Sequence, residues 1–146
     1  MFDLEPYKHP DHKERRASNR TIEELCRSYP EERTLPFFSI SVEHLEADKG
    51  YMSLPGEGKG RFLQLLPILW RANGLLQDYS RSIAKNLGVT EDVWVSTRET
   101  FISLELLETS PDKVNLLNRG LRKQYLNTLE KANSRRKKPE KPDIEW

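Results

Sequence analysis

Three groups of residues have types and spacings that invite a chemical reading. The run GEGKGR, residues 56–61, sets three glycines beside a lysine and an arginine. A phosphate-cradling loop needs the spacing GxxxxGK[ST] and a strand leading into it, so that backbone N–H groups converge on one anion. The run meets neither condition and reads as the start of a helix. His9, His12 and His44 could ligate a metal, with Asp11 between the first two. A zinc site needs three or four ligands, and no Cys or His cluster supplies the rest. Cys26 is the only cysteine and has no nearby His–Asp pattern, so it reads as a small apolar side chain. It cannot close an intramolecular disulfide, which points to a reducing cytosol. No nucleophile, base and metal set can be assembled. The sequence therefore reads as a non-enzyme with no catalytic residue, metal or cofactor.

A second chemistry is contact with nucleic acid. Arg81, Lys85, Arg98 and Lys113 could neutralise phosphates, and the run SRRKK adds Arg135, Arg136, Lys137 and Lys138. Thr90, Ser96 and Thr97 could hydrogen-bond base edges or phosphates. Trp70 and Trp94 could stack on bases, but each lies on an apolar helical face beside Leu or Val and reads as core. Glu91, Asp92 and Glu99 stand against Arg98 on the same predicted helix. That acidity suits a protein partner better than DNA, and the terminal PDIEW, with Ile144 and Trp146, suits capture in a basic, apolar pocket.

The elements that must position these residues follow from spacing. Residues 1–19 are charged and aperiodic and read as a flexible segment. TIEELCRSY opens with Thr21 and Glu24, a capping box, and its Ile22, Leu25, Cys26 and Tyr29 share one helical face ended by Pro30. Residues 34–54 fit either a short strand or a helix after Ser39, with Gly50 as a turn. A helix over about 58–72 is apolar on most sides. Pro67 should kink or break it, and Asn73-Gly74 ends it. GLLQ is a very short strand. Asp78 is expected to N-cap a helix in which Tyr79, Ile83 and Leu87 are spaced by four, ending at Gly88. Thr90 N-caps the next, to about 103, with Val93, Trp94, Thr97 and Phe101 on one face. Leu104–Leu107 and Val114–Leu117 read as a hairpin. A last helix over 119–132 carries Leu121, Tyr125 and Leu129, followed by a tail over 134–146.

The predicted fold class is mostly α with a small β-hairpin (α+β): a winged helix-turn-helix over 20–133 with extra N- and C-terminal helices. The helix at 90–103 takes the recognition position and the stretch TSPDK the wing tip. The chain has 146 residues and net charge +1, with mean hydropathy −0.78. By segment, the net charge is −1 over 1–34, −3 over 35–110 and +5 over 111–146. The acidic body weighs against a simple DNA-gripping domain. No apolar run approaches the roughly 20 residues of a membrane helix, and no signal segment opens the chain.

LPFFSI (35–40), Gly60 with Phe62, Leu65, Leu66 and Trp70, NGLLQD (73–78), NLGVTEDVW (86–94) and VNLLNRGL (114–121) together form a pattern. Over about 35–125 the chain resembles the YdaU-like family of phage and prophage proteins. That family's domain is a winged helix akin to those at the N-termini of phage replication initiators. The resemblance implies a DNA-binding accessory of replication or regulation in the cytoplasm of a host bacterium. The other reading is an adaptor or inhibitor that turns the same scaffold to a host replication or defence protein. Helices 20–29 and 119–132 each show a narrow apolar stripe that could pack internally or across a homodimer.

Overall fold

The computed structural model describes residues 20–137, with side chains to residue 135. His9, His12, Lys138, Ile144 and Trp146 lie outside the described residues. The element order is α1 (Ile22–Leu25), α2 (Val42–Ala47), α3 (Lys49–Met52), α4 (Gly56–Arg71), β1 (Leu76–Gln77), α5 (Ser80–Leu87), α6 (Glu91–Ser103), β2 (Glu108–Thr109), β3 (Asn115–Leu117) and α7 (Arg119–Lys137). The chain is mostly helical, with one three-stranded antiparallel sheet in the order β1-β3-β2. Among the described residues no helix is long and apolar enough to cross a membrane.

The capping box at Thr21 and Glu24 forms as expected, but α1 is a single turn. A longer helix would need the carbonyls of Glu24, Leu25 and Arg27 for itself. Instead Tyr29 Oη donates to Glu24 O, and the Arg122 guanidinium donates to Leu25 O and Arg27 O. Leu25, Leu121, Tyr125 and Leu129 are all buried, so the stripes of α1 and α7 are spent inside the molecule.

Residues 34–40 form neither alternative in full. They form no strand, and a side-chain amide bonds the backbone where a strand partner would. Gln124 Oε1 accepts from Ser39 N at 2.8 Å, while Gln124 Nε2 donates to Ser39 O at 3.0 Å. The helix begins only after Ser41, whose side chain caps it. Gly50 is not a turn but a residue of α3. A Cβ there would sit 2.6 Å from Leu104 O, so glycine lets α3 lie against the end of α6.

α4 starts directly after Pro55 and runs unbroken through Pro67. Pro67 is exposed, so its ring faces away from the core and water can serve the Leu63 carbonyl that loses its donor. The helix stops where Asn73 and Gly74 both turn to positive φ, 61° and 86°, and Gly74 N donates to Leu69 O.

α4 carries both halves of the core. Near its start Phe62 meets Tyr51 and Phe101, and Phe101 meets Trp94. Near its end Trp70 stacks on Phe38 at 5.3 Å and meets Tyr125 edge-on at 5.6 Å. The two tryptophans therefore anchor two aromatic clusters on one helix, rather than one shared centre. Trp70 Nε1 donates to Leu35 O. Both rings are buried, which removes them from any base-stacking role.

The hairpin sits slightly later than its leucines suggest. β2 pairs with β3 through Glu108↔Leu117 and Thr109↔Leu116, while Leu106 and Leu107 fill the core beneath the end of α6. β1 closes the other edge of β3 through Leu76↔Leu116. α7 is capped by Asn118 and continues to Lys137, so residues 134–137 belong to a helix rather than to the expected tail.

Candidate functional site

The face that the sequence singles out is built from α5, α6 and the β2–β3 turn. Thr90 Oγ1 accepts from Val93 N and starts α6. Gly88, at φ 76°, lets α5 end and the chain reverse into α6. The turn between β2 and β3 is held by Asp112, whose carboxylate accepts from Ser110 Oγ at 2.6 Å and from Val114 N at 3.1 Å. The Ser110 bond is the chief reason that the Asp112 carboxyl titrates below its ordinary value.

Arg98 is not available to a phosphate. Its Nε and Nη2 grip both oxygens of Asp78, at 3.0 and 2.5 Å, and its Nη1 donates to Glu99 at 3.0 Å. The bond to Asp78 raises the guanidinium above its ordinary value, against the lowering effect of burial. This pairing also corrects the expected cap. Asp78 turns across to α6, and α5 begins after Tyr79 with no side-chain cap. Thr97 is likewise withdrawn: it is buried and donates back to Val93 O.

What remains exposed on α6 is Glu91, Asp92, Val95, Ser96, Glu99, Thr100 and Ser103. Around the Arg98–Asp78 pair stand three exposed apolar side chains: Tyr79 (63%), Val95 (41%) and Val114 (47%). Tyr79 directly follows Asp78, Val114 O accepts from Asp78 N, and Val95 lies one helical turn before Arg98. Tyr79 was expected on the buried stripe of α5, but it precedes the helix and points out of it. Val95 and Ile102 are the apolar residues of α6 off the Trp94–Phe101 face, and of the two only Val95 is exposed. Val114 was read only as a strand residue.

The remaining candidates are dispersed. Arg81 and Lys85 are exposed on α5, and Lys113 is exposed on the turn at φ 66°. None of the three makes an ion pair among the described residues. Arg135 is exposed near the end of α7, and Arg136 and Lys137 follow it on the same helix.

The glycine-rich run is folded into the first turns of α4, where its lysine has another task. Lys59 Nζ donates to Leu54 O at 2.8 Å and Met52 O at 3.3 Å, satisfying the chain between α3 and α4, while Arg61 pairs with Glu57. His44 is exposed on α2, and among the described residues no group of three or more His, Cys, Asp or Glu could hold a metal. Burial pushes the Cys26 thiol up, away from a reactive thiolate.

Arg122, to which spacing gave no role, makes more side-chain hydrogen bonds than any other of the described residues. Arg122 has no exposed surface, and its donors reach Leu25 O, Arg27 O, Asn73 O and both oxygens of Glu32. Its role is to join the N-terminal segment, the end of α4 and α7.

No family model, curated protein or solved structure matches this chain.

Proposed function

We propose that this chain is a winged helix-turn-helix protein of the YdaU-like phage and prophage kind. On this reading it is a non-enzymatic accessory in the bacterial cytoplasm, and its α6 face binds a protein rather than the bases of DNA. The element order supports the winged helix: α4, β1, α5 and α6 precede a hairpin whose inner strand pairs back to β1. The observation that carries the choice of partner is the double grip of Asp78 on Arg98. It removes the one cation of α6 and leaves Glu91 and Asp92 without an ion pair among the described residues, beside the exposed Val95. The α6 surface itself then offers no free cation to a phosphate and fits a partner with an apolar hollow rimmed by Lys or Arg.

The test is affinity capture from a bacterial lysate with the wild-type chain and with a Tyr79→Ser/Val95→Ser variant. A stoichiometric partner held by the first and lost by the second supports the reading. A partner held equally by both, or none at all, overturns it.

The alternative is backbone contact with DNA through α5 and the β2–β3 turn beside α6. The exposure of Arg81, Lys85 and Lys113 favours it. Its signature is salt-sensitive duplex binding that disappears in Arg81→Glu/Lys85→Glu.

A further inference from the structure

The last turns of α7 outrun the core. Among the described side chains the last buried residue of the helix is Leu129, and the helix continues to Lys137. Over 131–138 the sequence holds five basic residues and no acidic one. Lys131 and Arg135 are exposed and lie one helical turn apart. The nearest acid, Glu130, is already engaged by Arg20 at 2.9 Å. Arg33 brings a further cation to the same end through its bond from Nη1 to Asn133 Oδ1 at 2.9 Å.

We propose that this projecting end of α7 is a contact for the phosphate backbone of nucleic acid, distinct from the α6 face. Lys131 and Arg135 share one face about 6 Å apart along the helix axis, with Arg136 and Lys137 following in sequence. Duplex DNA presents one charge per about 1.7 Å of its axis, so more than one phosphate falls within the span of that pair. The composition argues against other polyanions. An interfacial membrane helix needs a broad apolar face, and the only apolar residue here, Ala132, is half-buried. A tight protein contact needs a buried apolar or aromatic anchor, and the stub has none. Contact of this kind carries no base specificity, because phosphates are the same at every sequence.

The experiment is fluorescence anisotropy of the full chain with a short labelled duplex of mixed sequence, across several salt concentrations. Binding should weaken steeply with salt. Lys131→Glu/Arg135→Glu should weaken it at least about tenfold. It should also flatten the log–log salt slope by about two, from about 0.9 per lost phosphate contact. Arg81→Glu/Lys85→Glu should leave binding within about twofold on the same scale. Far-UV circular dichroism confirms that both variants fold, and both pairs are exposed surface residues. Absence of binding at low salt overturns the proposal. So does loss confined to the Arg81/Lys85 variant, or binding to anionic vesicles in place of the duplex.

Discussion

At the residue scale, Arg122 shows how a charge can be buried without being stranded. A guanidinium offers five N–H donors in a rigid fork, and the structure provides five acceptor contacts for them. Removing one partner of such a set leaves the others desolvated and unpaired. Arg122→Met should lower unfolding free energy by about 3–5 kcal/mol in urea titration. Arg122→Lys should recover only part of that, because an ammonium has three donors and no fork. Glu105 offers the opposite sign. It sits just past α6 at φ 63°, where glycine is the ordinary choice. Glu105→Gly should raise the urea midpoint, by an amount equivalent to about 1 kcal/mol. A lower midpoint would mean that the carboxylate has a structural role the contacts do not reveal. Neither residue was legible in advance. Arg122 stands beside the stripe of Leu121 and Tyr125 and looks like an ordinary flank, and its acceptors lie as many as 97 positions away.

At the element scale, local chemistry was readable and remote chemistry was not. Thr21, Thr90, Gly88 and Asn73-Gly74 each act within a few residues of themselves, so spacing alone placed those helix ends. Asp78 had the right type and position for a cap, yet it serves Arg98 on another helix, and no local rule reports that competition. Pro67 was expected to kink or break α4. Its place on the exposed side lets the helix continue, and only tertiary packing decides which side that is. The face of α5, α6 and the β2–β3 turn followed the same division: its polar residues were read as surface, while Tyr79 and Val114 were read only as helix and strand residues and are exposed. Gly50 gives a direct test of element packing. Gly50→Ala places a methyl 2.6 Å from Leu104 O, a backbone atom that cannot rotate away. The substitution should cost about 1–3 kcal/mol in thermal or urea unfolding. Full wild-type stability would mean that α3 does not rest on the end of α6.

At the scale of the whole molecule, charge and burial set how stability responds to pH. Tyr125 Oη accepts from Arg33 N and donates to Arg33 O, and burial raises its ionisation above the ordinary value. An unfolded tyrosine releases its proton near pH 10. Below that pH both states keep the proton and nothing is lost. Above it the unfolded chain deprotonates first, so stability falls as pH rises. The urea midpoint should therefore decline above about pH 10, and the decline should be shallower in Tyr125→Phe. An unchanged slope would remove Tyr125 from the cause. The Arg122 junction has another consequence, one of timing. Its acceptors at Leu25 and Arg27 precede it by 97 and 95 residues. A ribosome adding about 5–20 residues per second needs roughly 5–20 s to cover that distance. Throughout that interval the carbonyls of Leu25 and Arg27 lack the Arg122 guanidinium that they accept from in the folded chain. The first residues of this domain to be synthesised are thus among the last to be fastened.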